Sequence, residues 1–309
     1  MSNSGLIFFG TPEFAIPTLN ALIHNNEKIL LVVTQPDRPK GRGQKIQPSE
    51  VKKVALNYNL PVIQPEKLRD ESFLSKINSL NPEFAVVVAY GKILPKELLQ
   101  IPKYGCINLH ASLLPKYRGP APIQWAIIKG EKVTGVTTML IDEGLDTGPI
   151  FLQRQLEISE EDNALTLSKK LSEVGAELIV ETLNKIRKGQ IQPKPQVGEP
   201  SYAPTLKKED GKINWNTSAK EIFNLVRGTY PWPCAYSFLK GERIKIIKAQ
   251  LLEGKAQPGL IVKAKDELVV GTAEGLLKII MLQPEAKRVM TAKDFILGRK
   301  INEGVDSFS

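Results

Sequence analysis

Residues 84–90, FAVVVAY, and residues 106–110, CINLH, decide the fold. Both are short apolar runs, too short for a buried helix; the first is unbroken and rich in β-branched residues, and the second carries Asn108 and His110. Working outward, runs of the same kind recur as LIFFG at 6–10, ILLVVT at 29–34, GVTTML at 135–140 and IFLQRQL at 150–156. Between them lie amphipathic stretches of helical period: Ala15 to Asn25, Ser49 to Asn59, Glu71 to Leu80, Ala121 to Lys129, and a long one from Asn163 to Lys188 that stops at Gly189 as at a C-cap. Buried strands alternating with helices predict an α/β, doubly wound, mostly parallel sheet.

After Gly189 the composition changes. GQIQPKPQVGEPSYAPTLKKEDGK, residues 189–212, is dense in Pro, Gly and polar residues and reads as a connector. The predicted division is a catalytic domain over 1–189, a linker over 190–206 and a second domain over 207–309. In the second domain one helix, Ser218 to Arg227, precedes Gly-broken strand runs (AYSFLKGERIKIIKAQLLE and GLIVKAKDELVVGTAEGLLKIIML) and a short helix from Ala292. Those features predict a small β-barrel.

The 309 residues carry 42% hydrophobic and 24% charged residues, which excludes wholesale disorder. The start, MSNSGLIFFGTPEF, has neither a secretory h-region nor an Arg-rich transit pattern. No apolar run approaches the roughly 20 residues of a membrane span. Two distant cysteines, Cys106 and Cys234, form no CxxC pair, so no disulfide framework or zinc cluster is expected and a reducing cytoplasm fits. The net charge is +9, and from Thr205 onward 18 Lys and Arg stand against 12 Asp and Glu, so most of the excess lies in the last third. A basic small barrel reads either as a nucleic-acid grip or as a solubilising surface, and composition does not choose between them.

The chain has two histidines. His24 falls at a helix end among polar residues and reads as a solvated side chain. His110 closes CINLH, where alternation puts Cys106, Asn108 and His110 on one face at the carboxyl end of an α/β strand, the end at which such folds bind ligands. By itself an NxH pair ends many strands as nothing more than hydrogen-bonded polar residues. Two neighbours shift the reading. ASLLPKYRGPAPI follows directly, and DEGLDTGPI, 36 residues on from His110 at Asp146, packs two aspartates, Asp142 and Asp146, and two glycines into a tight loop. A carboxylate from that loop can orient an imidazole and favour its charged form.

Amide, imidazole and carboxylate suit acyl transfer to an amine. Asn108 and protonated His110 would donate to the oxyanion that forms as the amine attacks, and Asp146 would hold His110 and take up the amine proton, with no covalent intermediate. Cys106, deeper on the same face, reads as a buried structural thiol. FGTPEF is not GxGxxG, no GxxxxGK[ST] occurs, and without HExxH no metal is expected. TQPDRPKGRGQKIQPSEVK, residues 34–52, is a second unusual stretch, a long loop carrying Arg38, Lys40, Arg42 and Lys45, with Asp37 the one acid among them, and suited to clamping phosphates.

Taken together, GTPEFA (10–15), TQPDRPKGRG (34–43), VVVAYGKILP (86–95), GCINLHASLLPKYRGPAPIQWAI (105–127), GLDTG (144–148) and YPWP (230–233) resemble the methionyl-tRNA formyltransferase family, in order over nearly the whole chain. The resemblance implies a Rossmann-like N-terminal domain that binds 10-formyltetrahydrofolate and a C-terminal OB-like domain that helps hold tRNA. It implies Asn108, His110 and Asp146 as the catalytic trio. It sets the folate against Ser112, Leu113, Leu114 and Pro115, against Tyr90, Gly91, Ile93 and Leu94, and against Asp142 and Gly144. Arg38, Lys40, Arg42 and Lys45 would meet the acceptor arm of initiator methionyl-tRNA. A monomer in a bacterial cytoplasm is the implied setting. Open alternatives are a folate-dependent formyltransferase acting on a small amine, such as an amino sugar nucleotide or glycinamide ribonucleotide, and a non-enzymatic RNA-binding protein.

Overall fold

A computed structural model describes residues 5–40 and 45–309. By contact the chain divides into two units, the first holding residues 1–122, 133–157 and 168–203, the second residues 123–132, 158–167 and 204–309.

The strands of the first unit are β1 (Leu6–Gly10), β2 (Ile29–Val33), β3 (Arg38–Lys40), β4 (Lys45–Gln47), β5 (Val62–Ile63), β6 (Phe84–Val88), β7 (Cys106–His110), β8 (Val133–Leu140) and β9 (Ile150–Glu157). Seven form one sheet in the order β5-β2-β1-β6-β7-β8-β9. From β5 to β7 every pairing is parallel, with Gly10 beside Val88 and Val87 beside Asn108. Chain order reverses between β1 and β6, which makes the ends of those two strands the switch-point crevice of a Rossmann-like sheet. β1 and β6 are buried along their whole length because helices cover both faces, the reason their sequences show no alternation.

The helices follow from their caps. α1 (Ile16–His24) carries Pro17 in its first turn, and α2 (Glu50–Asn57) starts at Ser49, whose hydroxyl accepts from the Lys52 amide. α3 (Glu71–Ser79), the four-residue α4 (Lys96–Leu99), α5 (Pro122–Ile128) and the long α6 (Ala164–Arg187) follow, and Gly189 sits just past α6 at φ +65°. α4 and the two-residue β5 are too short to leave a periodic signal.

GVTTML and IFLQRQL do not continue the parallel series. β8 runs antiparallel to β7, pairing Ile107 with Leu140 and His110 with Thr137, and β9 runs antiparallel to β8. The segment joining β8 to β9, residues 141–149, is too short for a crossover, which takes a dozen residues or more, so only antiparallel neighbours can be joined by it. The basic segment, expected as one long loop, contains the short strands β3 and β4, paired antiparallel with Arg38 opposite Gln47, and its last residues open α2.

In the second unit, α7 (Ala219–Gly228) opens on a capping box between Ser218 and Glu221. β10 (Ala235–Leu239), β11 (Glu242–Leu252), β12 (Ile261–Ala264), β13 (Leu268–Gly271), β14 (Leu276–Pro284) and β15 (Met290–Thr291) form an antiparallel sheet, and α8 (Ala292–Leu297) closes the series. Trp215, Ile222, Val226, Leu268, Leu277 and Phe295 belong to its core. The buried Arg227 guanidinium donates to Asn224 Oδ1 and to the Ser159 and Asp162 carbonyls, and burial pulls its pKa down. Among the described residues no helix is long and apolar enough to cross a membrane.

β7 is seated from behind by α6. A Cβ on Gly175 would lie 2.5 Å from a methyl carbon of Leu109, the residue between Asn108 and His110. Gly175→Val is therefore expected to overpack this contact and cost about 1–3 kcal/mol, read as a lower urea midpoint at unchanged slope. Burial pushes the Cys106 thiol up to about 12, so thiolate is scarce below that pH. The native protein at pH 8 is expected to leave Cys106 unlabelled by a maleimide over hours, with labelling only in denaturant.

Candidate active site

β7 places Asn108 and His110 on one face with backbones fixed on both sides, Asn108 between Val87 and Met139. The Asn108 side chain is part-exposed, and its amide has no hydrogen-bond partner among the described residues. His110 is 6% exposed. Its Nε2 lies 2.9 Å from the Tyr117 carbonyl oxygen. A carbonyl only accepts, so Nε2 carries a proton, and Nδ1 is the nitrogen left for exchange. Nδ1 faces Asp146 Oδ2 at 3.6 Å, a separation that is electrostatic contact rather than a hydrogen bond.

Asp146 arrives by an unexpected route. Its loop leaves the sheet where the Ile141 amide bonds to the Cys106 carbonyl, beside the first residue of β7, yet Asp146 meets His110, the last residue of that strand. Residues 142–146 thus bring a carboxylate from that end of β7 to the imidazole at the other. The loop bends there: Asp146 has φ +52°, a conformation that costs a non-glycine residue about 1 kcal/mol or more. A Cβ on Gly148 would collide with the Leu140 carbonyl oxygen, so only glycine lets the loop return to β9 so closely.

Three sets of bonds hold this geometry. The Gly119 amide donates to Asp146 Oδ2 at 2.7 Å, leaving Oδ1 without a partner among the described residues. Gly119 itself needs φ +115° and has the Ala203 carbonyl against it. The Tyr117 amide donates to Ser201 Oγ at 2.9 Å. Gln196 Nε2 donates to the carbonyls of Asp146 at 2.7 Å and Gly148 at 2.9 Å, while its Oε1 accepts from Arg118 Nε and Nη2 at 3.1 and 2.7 Å. Tyr117, Gly119 and Gln196 carry no chemical signature in the sequence: two act through the main chain, and the third lies in a stretch whose composition reads only as connector.

The Ser112–Pro115 segment is pinned from β8 and β9. Thr137 Oγ1 donates to the Ser112 carbonyl at 2.6 Å and accepts from the Leu114 amide at 3.2 Å, and Gln153 Nε2 donates to Thr137 Oγ1 and the Leu114 carbonyl, both at 2.9 Å. Ser112 and Leu114 are buried, and Ser112 Oγ is spent on the Lys116 carbonyl. At the switch point Tyr90 turns its ring into the core, edge-on to Phe9, with a hydroxyl that is buried without a partner among the described residues and pushed up to about 12 by burial. What Tyr90 offers the crevice is its carbonyl, which accepts from Thr11 Oγ1 and Gln35 Nε2. Gly91 follows at φ +82°, Ile93 is 89% exposed and Leu94 is buried. Asp142 accepts from the Gly144 amide and Thr147 Oγ1, within its own loop.

Of the basic residues, Arg38 is exposed on the hairpin; Arg42 lies outside the described residues, and so do the side chains of Lys40 and Lys45. The hairpin's base is tied down by Asp37, which bonds Lys52 Nζ and Gln64 Nε2, both at 2.7 Å; the Lys52 bond above all holds its carboxyl below the usual range. No hydrogen bond joins the hairpin or the Tyr90–Leu94 turn to the trio among the described residues. No group of three or more His, Cys, Asp or Glu among them is placed to hold a metal ion.

The family model described as "Formyl transferase" matches residues 4–183, and "Formyl transferase, C-terminal domain" matches residues 205–300. The methionyl-tRNA formyltransferase of Thermodesulfovibrio yellowstonii is 73% identical over 99% of this chain and 100% of its own. Among solved structures, an N-formyltransferase from Helicobacter canadensis, in complex with folinic acid and dTDP-3-aminofucose, superposes with a TM-score of 0.69 at 23% identity, covering 89% of this chain and 98% of that one. HypX from Aquifex aeolicus, in complex with tetrahydrofolic acid, superposes at 0.66 and 18% identity over 99% of this chain and 50% of that one. The two structures share the fold. With both formyl transferase models matched in order and a relative 73% identical from end to end, the chain belongs to the methionyl-tRNA formyltransferase family.

Proposed function

We propose that this protein transfers the formyl group of 10-formyltetrahydrofolate to the α-amino group of initiator methionyl-tRNA, with Asn108, His110 and Asp146 as its catalytic residues. One observation carries the reading: the Asn108 amide, unpartnered among the described residues, shares a strand face with an imidazole whose exchangeable nitrogen faces a carboxylate.

In this reading the Asn108 amide and a proton on His110 Nδ1 receive the formyl oxygen as the amine nitrogen bonds to the formyl carbon and the carbonyl pair moves onto oxygen. Asp146 Oδ1 accepts the proton that the amine loses, while Oδ2 stays on the Gly119 amide. When the oxygen pair re-forms the carbonyl, the bond from that carbon to the folate nitrogen breaks, and the proton returns to the leaving nitrogen. The Tyr117 carbonyl keeps Nε2–H engaged, so the ring cannot present the wrong nitrogen. The folate is assigned to the pinned Ser112, Leu113, Leu114 and Pro115 segment, to the Tyr90, Gly91, Ile93 and Leu94 turn, and to the Asp142 and Gly144 loop. Arg38, Lys40, Arg42 and Lys45 are assigned to the tRNA acceptor arm, with the basic second unit as a further grip. Formylated methionyl-tRNA then serves translation initiation in a bacterial cytoplasm.

Asn108→Ala is expected to lower kcat about 100-fold, one oxyanion donor's worth, and His110→Ala at least as much, both in a radiolabelled formyl-transfer assay. Full activity in either variant ends the mechanism. In direct competition label should reach initiator methionyl-tRNA, not an amino sugar nucleotide; the reverse outcome removes the substrate assignment. Arg42→Ala is expected to raise the tRNA KM, more steeply as salt rises, at unchanged folate affinity. A tRNA KM that does not move reduces the segment to an ordinary solvated loop.

A further inference from the structure

The trio is held by a segment that carries none of it. Residues 194–203 follow the long helix and run back along the first unit, with Lys194 pairing Ile150 and Ala203 pairing Arg118 through main-chain bonds. Between those anchors the segment extends two side chains to the two loops of the site. Ser201 Oγ takes the Tyr117 amide, and Gln196 spans the Asp146 loop.

Gln196 is unusual because every polar atom of its amide is committed. Both Nε2 protons go to carbonyls on either side of the bend, those of Asp146 and Gly148. Oε1 is held by two guanidinium nitrogens of Arg118, the residue between Tyr117 and Gly119. One planar amide thus joins the loop carrying the carboxylate to the loop whose main chain engages His110 Nε2 and Asp146 Oδ2. Bridging at the backbone rather than at the carboxylate fixes where Asp146 sits without engaging Oδ1.

Resting on the reading of the trio given above, we propose that Gln196 is a positioning residue for formyl transfer: it clamps the strained bend at Asp146 and registers that bend against the 117–119 loop, thereby setting the distance from the carboxylate to His110 Nδ1. The side chain touches none of the trio's functional atoms, so it acts only through Asp146 and its neighbours. Loss of the clamp relaxes the left-handed bend and lets the carboxylate drift, a change felt in the chemical step and not in the grip on either substrate.

The test is a double-mutant cycle in the full-length protein. Gln196→Leu removes both sets of bonds at similar volume. Gln196→Glu is isosteric, keeps an acceptor for Arg118, and replaces the donor to the two carbonyls with a carboxylate oxygen. Each is made alone and together with Asp146→Asn, and formylation of initiator methionyl-tRNA is measured with thermal melts in parallel. Both single variants are expected to lose about tenfold or more in kcat, at a tRNA KM within about twofold and a near-wild-type melt. In the Asp146→Asn background the same changes should cost less than about threefold further, because the residue they act through is already disabled. Equal losses in both backgrounds overturn the proposal, as does wild-type kcat in both Gln196 variants while Asp146→Asn is crippled. Wild-type activity in Asp146→Asn itself overturns the reading of the trio, and this inference with it.

Discussion

The Gly119 amide and the Asp146 carboxylate meet at 2.7 Å, and the arrangement of the site hangs from that bond. It joins loops that leave the sheet at opposite ends of one strand, the first just past His110 and the second beside Cys106. A part-buried carboxylate needs donors to hold its charge, and a main-chain amide supplies one without a side chain that could swing away. Its geometry imposes a backbone at φ +115° with the Ala203 carbonyl against it, a place that admits no side chain.

From that bond the orientation of the ring follows. Two contacts address the two nitrogens of His110 differently: Nε2 donates to the Tyr117 carbonyl, and Nδ1 faces the Asp146 carboxylate. The imidazole is thereby oriented, and its one exchangeable position is aimed at the face it shares with Asn108. Rigidity comes from the sheet beneath, where Asn108 is paired on both sides and Leu109 is seated against α6. Chemistry on loops over a stiff strand is a common division of labour in α/β proteins.

The antiparallel turn of the sheet at β8 gives the site its carboxylate. A parallel β8 would have sent the following loop to the same end as the other carboxyl-end loops. Running the other way, β8 releases residues 141–149 at the far end, beside Cys106, and the Asp146 side chain reaches from there to His110. The same strand carries Thr137, which ties down Ser112 and Leu114.

The sequence by itself determined the strands and their class, because unbroken runs such as FAVVVAY are stable only where both faces of a sheet are covered. It also determined that Asn108 and His110 share a face, since alternation along CINLH permits nothing else, and most helix limits, through caps such as Ser49 and Ser218. Asp146 was legible as a carboxylate in a glycine loop, and its meeting with His110 was read from the chemistry of an imidazole beside a carboxylate and from family likeness, not from spacing. Only the tertiary structure decided that β8 and β9 reverse direction, that the Tyr90 ring turns into the core, and that Gln196, in a stretch that reads as connector, bridges both loops of the site. The reason is common to all three. Periodicity and capping are local and leave a mark every few residues, whereas a main-chain amide meeting a carboxylate 27 residues away, or a glutamine reaching a carbonyl 50 residues away, depends on how separate elements pack and leaves no pattern in the residues between.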